Sequence, residues 1–575
     1  MRRVKAAENR GELLIAYDLA MRGLARHPGN VDLSYLAVRV LARSGSTENA
    51  VACYERFKLG RQQGVDFAAL GARLAKDAAL GARAGRRERL LRAAGAYRKI
   101  FERTGDHYPA VNAATLYLLA GEERHALKLA KASLSASGKA TAAAPLDRYY
   151  QAATRAEAAL ICRDVESART FLLEAAGHLG RNYSAAATTR RQLRLVCRAR
   201  RVAADVLEPI RSPMVIHYEA EAGALTDPDD QADAYLRRQR AGFAYGSLAA
   251  GGELRFAEAC LAAGTELNVV LPFRAEEFVD NLVRPAGIAW VRRFRSCLER
   301  AHSVSLATTD SYQGDDDLIA YARRLAMGMA LLRAQHLETD VRHVTIAAHG
   351  QRSDPEHLAS WRERGLGVDV IAAGPVAPPR RARPARPQRS RGMPPRHARA
   401  ILFGDVKGYS QVADHLVPAF QQHVMGAIAT ALRRFAPHVL YRNSWGDAIY
   451  VVIDDPVVGA DCALAVQGAI ANAKLDRFGF AARPELRLGA HFGPLYDGYD
   501  PVCEEKTFFG AHATIAARLE PVSPPGHVYV SEAMAAALAM AAHQRFSCDY
   551  VGQLPSAKGF GLMRMYLLGR LAKRQ

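Results

Sequence analysis

The sequence predicts a multidomain protein with an all-α region of helical repeats, then an α/β region, then a β-rich C-terminal region. Three patterns lead to this prediction. They are a 34-residue recurrence near the N-terminus, apolar runs alternating with helical patterns in the middle, and two aspartates beside apolar runs near the C-terminus. A chain of 575 residues has room for several domains, since domains cluster near about 100–200 residues. We expect domains at residues 1–208, 209–373 and 399–575, with a linker at 374–398.

The composition favours a folded protein in a reducing compartment. Hydrophobic residues make up 49% and charged residues 24% of the chain, which is ordinary for globular domains and disfavours overall disorder. No apolar run approaches the ~18–20 residues that span a bilayer, and the charged N-terminal segment lacks a hydrophobic signal region. The eight cysteines form no CxxC pair, which is typical of reduced thiols. We therefore expect a cytoplasmic protein without a membrane span.

The net charge of +20 leaves two interpretations of one basic block open. Arginine is spread along the whole chain, and the dense block is Pro378–Arg399. No aromatic residue interleaves these arginines, so a platform for base stacking is missing. The block is either a solvated linker or a phosphate-binding tail, and its prolines favour a semi-rigid, extended tether.

Residues 1–208 show a small-residue pattern that predicts helical repeats. A Gly-x4-Ala spacing from Gly11 recurs 34 residues later from Gly45, and 34 is the period of tetratricopeptide repeats. A third copy starts out of phase at Gly121, and a degenerate copy starts at Arg163. Such repeats commonly offer a concave surface to a peptide or another domain. Packing against the rest of this protein is the alternative.

Residues 209–373 alternate strand-like runs with helical patterns, which predicts a parallel, Rossmann-like sheet. The predicted strands are Pro213–His217, Leu267–Pro272, Val304–Ala307, Val344–Ala348 and Val368–Ile371. Tyr245–Gly252 opens a helix after a candidate strand, so a nucleotide-like ligand could bind at that helix N-terminus. The segment does not match GxGxxG, and a plain helix cap is the alternative.

Two short stretches in the C-terminal region predict a carboxylate pair. Asp405 and Asp447 each lie beside a glycine at the edge of an apolar run. Hard cations such as Mg²⁺ and Mn²⁺ prefer oxygen ligands of this kind. The turn Gly408-Tyr409-Ser410 follows Asp405, and backbone N–H groups at such a turn can bind phosphate. The alternative is that Asp405 caps a turn and Asp447 belongs to a hairpin.

The stretch from about Arg399 to Leu568 resembles the catalytic domain of class III nucleotidyl cyclases. Five pieces occur in the family's order: FGDVKGYS, NSWGDAIYVV, LRLGAHFGP, FFGAHATIAARLEP and AKGFG. The resemblance implies an α+β domain with a ferredoxin-like βαββαβ core. It also implies an active site shared by two catalytic domains placed head to tail, and hence a homodimer.

The resemblance further implies roles for individual residues. Asp405 and Asp447 match the ligands of two Mg²⁺ or Mn²⁺ ions per site. Arg518 matches the arginine that stabilises the transition state from the partner protomer, and Lys558 resembles a lysine that contacts the triphosphate. A surface lysine is the alternative for Lys558, and an exposed helix arginine is the alternative for Arg518.

Three positions depart from the family pattern. Asn443 replaces the lysine and Thr507 the aspartate that usually read adenine, and Thr514 replaces the asparagine that usually orients the ribose. All three can still form hydrogen bonds with the substrate. Trp445 could stack on a base or pack at the dimer interface, and His512 lies near the nucleotide by alignment or packs in the interior.

The sequence therefore predicts an intracellular signalling enzyme that converts ATP to 3′,5′-cyclic AMP and pyrophosphate. Its first two domains are expected to regulate the third. One alternative is a cyclase with another product, either cGMP or a pyrimidine cyclic nucleotide. The other is a non-catalytic signalling scaffold that binds a nucleotide.

Overall fold

The computed structural model describes most of the chain and divides it into two compact units. The described residues are 1–9, 13–44, 46–82, 84–139, 144–221, 229–314, 316–348, 358–373, 394–473, 475, 478–480, 483–542, 544–555 and 562–571. The first unit is Met1–Ser212 with the short segments Gln335–Thr339 and Tyr550–Gly552. The second unit comprises Pro213–Ala334, Asp340–Asp549 and Gln553–Gln575.

The N-terminal region is helical throughout its described residues, as predicted. Its helices are α1 (Arg2–Asn9), α2 (Leu13–Arg26), α3 (Val31–Ser44), α4 (Thr47–Arg56), α5 (Val65–Gly81), α6 (Arg86–Thr104), α7 (His107–Leu119), α8 (Glu123–Lys139), α9 (Pro145–Ile161), α10 (Val165–Leu179) and α11 (Tyr183–Arg200). None of the helices in the described ranges combines the length and the apolar character needed to cross a membrane.

The repeated small residues have a structural role in this region. The alanines of the pattern on α2, α4, α8 and α10 are all fully buried, so neighbouring helices can approach closely there. Gly121 and Arg163 both adopt left-handed backbone conformations, with φ of 83° and 67°, just before α8 and α10. The degenerate copy, which has Arg163 in place of the glycine, therefore adopts the same left-handed backbone conformation as Gly121. Gly11 and Gly45 lie outside the described residues.

A buried polar network joins α5, α7, α9 and α11. The ammonium of Lys76 donates to Asn112 Oδ1 at 2.9 Å and to Gln192 Oε1 at 3.1 Å. Glu157 Oε1 accepts from Thr115 Oγ1 at 2.5 Å and from Gln192 Nε2 at 2.7 Å. Burial lowers the pKa of Lys76 and raises the pKa of Glu157. These four helices are thus bonded to one another, and an external partner for the region stays a prediction.

The middle region is an α/β region with a parallel sheet. Its elements are β1 (Met214–Ala220), α12 (Asp229–Gln239), β2 (Ala241–Gly246), α13 (Gly252–Ala262), β3 (Glu266–Leu271), α14 (Ala275–Phe278), α15 (Ile288–Arg300), β4 (Ser303–Leu306), α16 (Asp316–Leu337), β5 (Val341–Ala348), α17 (Ala359–Glu363) and β6 (Gly367–Ala373). The strand order in the described residues is β4-β3-β2-β1-β5-β6, with every pairing parallel. Each of the five predicted strands overlaps an observed one. The finer assignment to a Rossmann-like fold stays a prediction.

The candidate ligand site before α13 is partly occupied by the protein itself. Glu253, in the first turn of α13, accepts a hydrogen bond from the backbone N–H of Ala249 at 2.9 Å. A carboxylate at this place supplies the negative charge that a helix N-terminus attracts. Burial raises the pKa of Glu253. A nucleotide-like ligand on the middle domain therefore stays an untested prediction.

The C-terminal region folds around a mainly antiparallel sheet. Its elements are β7 (Arg396–Lys407), α18 (Val417–Phe420), α19 (Gly426–Arg433), β8 (Val439–Trp445), β9 (Ala448–Ile453), α20 (Pro456–Asn472), β10 (Glu485–Asp500), β11 (Glu505–Phe509), α21 (Ala511–Leu519), β12 (Val528–Ser531), α22 (Glu532–Ala541), β13 (Phe546–Pro555) and β14 (Leu562–Arg570). The strand order is β13-β14-β12-β10-β7-β9-β8 among the described residues, and β11 pairs with β10. The strand β7 already begins at Arg396, and most of the predicted linker lies outside the described residues. The ferredoxin-like core stays a prediction.

Helix α16 packs the middle region against the C-terminal region within the second unit. The hydroxyl of Tyr321 donates to the carbonyl oxygen of Phe492 on β10 at 2.9 Å. Its ring meets His512 of α21 edge-on, with 5.7 Å between ring centroids. A Cβ added to Gly328 would lie 2.4 Å from the carbonyl oxygen of Ala536 on α22. Only glycine permits this close approach of two helix backbones.

Candidate active site

Strand pairing brings Asp405 and Asp447 to the same end of the C-terminal sheet. The strands β7 and β9 pair so that Gly404 lies opposite Ile449. Asp447 belongs to the turn between β8 and β9, where Gly446 has a left-handed backbone with φ of 59°. Burial, then the hydrogen bond and negative charge of Asp405, raise the pKa of Asp447 to about 6. The two predicted carboxyl groups are therefore neighbours that interact directly.

Arg487 on β10 compensates part of this negative charge. It lies directly opposite Asp405 in the pairing of β10 with β7, and its Nη2 donates to Asp405 Oδ2. Its Nε lies 3.2 Å from Glu520 Oε1, which follows α21. Burial, reinforced by the charges of Asp405 and Asp447 and opposed by Arg487, raises the pKa of Glu520. The guanidinium thus pairs with Asp405 and Glu520 and also feels the charge of Asp447, so the cluster attracts cations.

The donor set fits a hard divalent cation. Carboxylate oxygens are the ligands that Mg²⁺ and Mn²⁺ prefer, usually one or two per ion together with water and substrate phosphates. Across the described ranges, no group of three or more His, Cys, Asp or Glu side chains is arranged to hold a metal by itself. Burial and the charge of Asp405 raise the pKa of Asp447, and a cation bound by both carboxylates would relieve the repulsion between them.

The predicted phosphate-binding turn adjoins the carboxylate pair. Gly408 has φ of 87°, and its carbonyl oxygen accepts from the Gln411 N–H at 3.0 Å. The ring of Tyr409 lies against Gly446, where an added Cβ would come 3.4 Å from Tyr409 Cε1. Ser410 is exposed. The turn and the hairpin that carries Asp447 are thus in contact, and phosphate binding stays a prediction.

The two predicted base-reading positions lie on two strands of the same sheet, one paired with β9 and the other with β10. Asn443 is on β8 and Thr507 is on β11. Tyr441, two residues before Asn443, packs on Phe508 with 6.3 Å between ring centroids. The hydroxyl oxygen of Tyr441 accepts from Asn443 Nδ2 at 3.1 Å, and Asn443 Oδ1 accepts from the Ser444 N–H at 2.7 Å. An aromatic contact therefore links the strand of Asn443 to the strand of Thr507.

Thr514 and Arg518 share the exposed face of α21. They are four residues apart, and both side chains are exposed, while His512 and Leu519 are buried on the other side. Arg518 has no hydrogen bond or ion pair with any residue that the structure describes. The arginine is thus available to a second chain, as the shared-site prediction requires.

The three remaining candidate residues are Lys558, Trp445 and His512, and they differ in where they lie. Lys558 lies outside the described residues. Trp445 is 60% exposed at the end of β8. His512 is buried, with its Nδ1 2.7 Å from His491 Nε2, and burial together with the charge of Arg396 lowers its pKa to about 3. His512 therefore packs in the interior.

Arg487, Glu520 and Tyr441 were not among the residues singled out from the sequence. A signal for Arg487 was available, because it is a charged residue between Leu486 and Leu488, both fully buried on one strand. Tyr441 stands two residues before Asn443, a spacing that puts both side chains on one face of a strand.

Comparisons with known proteins match two families to parts of this chain. The family described as the adenylate and guanylate cyclase catalytic domain matches residues 393–570, and the tetratricopeptide repeats-sensor family matches residues 16–117. A comparison with curated proteins gives no match.

Solved structures of cyclases also resemble the chain. The adenylyl cyclase CyaB from P. aeruginosa shows 15% identity and a TM-score of 0.29, covering 31% of this chain and 97% of that chain. The guanylate cyclase domain of RhGC from Catenaria anguillulae in complex with GTP shows 19% identity and a TM-score of 0.26, covering 30% of this chain and 97% of that chain. The two family matches place a class III adenylate/guanylate cyclase catalytic domain at residues 393–570 of the chain and a tetratricopeptide repeats-sensor domain at residues 16–117.

Proposed function

We propose that the C-terminal domain converts a nucleoside triphosphate to a 3′,5′-cyclic nucleotide and pyrophosphate, in a site shared between two chains. The observation that carries this proposal is the pair of interacting carboxyl groups, Asp405 and Asp447, inside the matched domain. A pKa that is raised by burial together with a specific charged neighbour, as for Asp447, is typical of functional sites. A domain that served only as a scaffold would have no need for this costly pair.

The residues of the chain have separate roles in the proposed reaction. Asp405 and Asp447 hold Mg²⁺ or Mn²⁺, two ions per site. When bound, such ions lower the pKa of the attacking ribose oxygen and neutralise phosphate charge. The backbone N–H groups of the turn Gly408–Ser410 orient the phosphates. Arg518, reaching from the partner chain, stabilises the charge that develops on the α-phosphoryl group.

Two hairpins of the domain support the proposal of a second chain. Trp445 ends β8 and is 60% exposed, and Tyr499, Val502 and Phe509 on the hairpin of β10 and β11 are 60%, 88% and 44% exposed. Exposed apolar side chains that cluster on hairpins are typical of protein–protein contacts. With Arg518 also directed outward, these surfaces support a homodimer through the cyclase domain.

The sensor and middle domains regulate this activity in the proposal, within a cytoplasmic signalling enzyme. The order of the parallel strands along the sheet reverses at β1, which supports a Rossmann-like middle domain. Helix α16 connects this domain to α21, which carries Arg518. ATP, the substrate expected from the sequence, rests on the family default alone, because Asn443 and Thr507 replace the adenine-reading pair.

The test of the proposal is direct product identification. The full-length protein is incubated with Mn²⁺ and each of the four common nucleoside triphosphates, and products are identified by mass. A cyclic nucleotide should form with the wild type and should vanish in folded Asp405→Ala and Asp447→Ala variants. Absence of any cyclic product from the folded wild type would contradict the proposal. Nucleotide binding without turnover would instead favour the non-catalytic scaffold.

A further inference from the structure

We propose that the hydroxyl group of Tyr441 reads the substrate base together with Asn443. The pair selects a base that carries a carbonyl group at its reading edge, guanine or uracil, over adenine and cytosine. The inference rests on the proposed cyclase function, because it concerns the base-binding side of the same site. It names a specificity-determining residue and a substrate class.

The orientation of Asn443 follows from its backbone neighbour. The N–H of Ser444 lies 2.7 Å from Asn443 Oδ1, and a backbone amide nitrogen can only donate. The amide oxygen of Asn443 must therefore face Ser444, and its Nδ2 faces Tyr441 at 3.1 Å. Because an amide nitrogen also only donates, the hydroxyl oxygen of Tyr441 is the acceptor.

The remaining hydrogen-bonding capacity of this pair includes two donor protons. Tyr441 keeps its own O–H proton, and Asn443 keeps the second N–H of its amide. Neither proton has an acceptor among the residues that the structure describes. The pair therefore offers two donors to a ligand, while one of the two lone pairs of the amide oxygen already accepts from Ser444.

Two donors match a carbonyl oxygen and oppose an amino group. Guanine O6 and uracil O4 are acceptors with two lone pairs. Adenine and cytosine carry an amino group at the equivalent place. This amino group is a hydrogen-bond donor, and it would face the two donors of Tyr441 and Asn443. The hydroxyl group of Thr507 can donate or accept a hydrogen bond. It can therefore bond to either kind of base and does not reverse the preference for a carbonyl group. Unpaired polar groups at a reading edge discriminate strongly between substrates.

The surroundings hold Tyr441 in place. Its ring meets Tyr450 edge-on, with 5.5 Å between ring centroids, and packs on Phe508 at 6.3 Å. The Tyr450 hydroxyl in turn donates to the Phe508 carbonyl oxygen at 2.8 Å. The Tyr441 hydroxyl is thus presented by a packed aromatic cluster, beside Asn443 and next to the strand of Thr507. A preorganised donor loses little entropy when it binds.

The experiment measures kcat/KM for ATP, GTP, CTP, UTP and ITP with full-length wild type and a Tyr441→Phe variant. ITP keeps the purine O6 but lacks the 2-amino group of guanine, so it isolates the carbonyl group. The wild type should prefer GTP, UTP or ITP over ATP and CTP. Loss of one neutral hydrogen bond in Tyr441→Phe should lower kcat/KM for the preferred carbonyl bases about three- to tenfold. Values for ATP and CTP should stay within about twofold.

Tyr450→Phe is the matched control. It also removes one hydroxyl group from the same aromatic cluster, but that hydroxyl is committed to the Phe508 carbonyl. Any effect should therefore be a common factor for all five nucleotides. A purely structural role of Tyr441 would give the same common factor in Tyr441→Phe.

The outcomes separate this inference from the proposed function. A wild type that prefers ATP or CTP would overturn the carbonyl-base selection while leaving the cyclase activity in place. An equal fall for all nucleotides in Tyr441→Phe would overturn the role of the hydroxyl group. Absence of a cyclic product with all five nucleotides would overturn the cyclase function itself.

Discussion

Replacing Arg487 with glutamine should tighten the binding of a divalent cation. In the structure the guanidinium of Arg487 is bonded to Asp405, the carboxylate proposed to bind metal, and pairs with Glu520 at 3.2 Å. The cation and the guanidinium therefore compete for the same negative charge. A residue that only oriented Asp405 for metal would have the opposite effect, because its loss would weaken binding.

The magnitude follows from the charges and their exposure. The side chains of Arg487 and Asp405 are 29% and 26% exposed, so water screens the interaction substantially. A unit charge and a divalent cation about 5 Å apart repel by about 1.7 kcal/mol at the dielectric constant of water. Part of this gain is lost because Asp405 becomes less ordered. The net expectation is a Kd about three- to tenfold lower in Arg487→Gln.

The assay is isothermal titration of Mn²⁺ into metal-free protein near neutral pH and at low ionic strength. Arg433→Gln is the matched control, because it removes the same charge at an exposed position where, among the residues that the structure describes, the side chain bonds only to its helix neighbour Thr430. Its Kd should equal that of the wild type, and added salt should reduce the effect of Arg487→Gln. A Kd for Arg487→Gln that is unchanged or higher would refute the competition between arginine and metal.

Three further results are expected. The neutral form of Asp447 is favoured in the fold, with a pKa of about 6 against an ordinary 3.8, so the stability of the metal-free protein falls as pH rises from about 4 to 6. Asp447→Asn should therefore raise the melting temperature of metal-free protein at pH 8 but hardly at pH 4. Mn²⁺ should raise the melting temperature of the wild type only. Equal melting temperatures of variant and wild type at both pH values would contradict this. Gly328→Val should destabilise the protein by about 1–3 kcal/mol in denaturant unfolding, since its Cβ would press on the Ala536 carbonyl oxygen. An unchanged unfolding midpoint would show that the two helices can move apart without cost. Asn443→Lys combined with Thr507→Asp should raise the ATP-to-GTP ratio of kcat/KM, and an unchanged ratio in an active variant would show that these positions do not read the base.

Local patterns predicted much of the fold. The alanines of the 34-residue pattern are buried at helix contacts, as expected for small residues that recur at a fixed spacing. Strands rich in β-branched residues were also predicted. β2 was recognised only as a candidate because Ala241–Gly246 contains no Val, Ile or Thr, the residues that mark strands most clearly.

The site was predictable only as far as its chemistry is local. Asp405 and Asp447 each lie in a short motif, so their proximity was inferred from two turns beside apolar runs. The position of Arg487 opposite Asp405 depends on the register of two strands about eighty residues apart in sequence, which no local pattern contains. The hydrogen bond between Tyr441 and Asn443 depends on side-chain orientation, which the order of residues alone does not determine.

The most direct test of the shared active site is complementation between two inactive variants. Arg518→Ala keeps both metal-binding carboxylates, and Asp405→Ala keeps the arginine. If the site is built from two chains, a mixed dimer contains one intact site and one site with both defects. With random assortment of equal amounts, half of the dimers are mixed, so activity should return to about a quarter of the wild-type value. Cyclic-nucleotide formation at that level is the predicted result, whereas no activity in a sample with demonstrated mixed dimers would contradict the shared site.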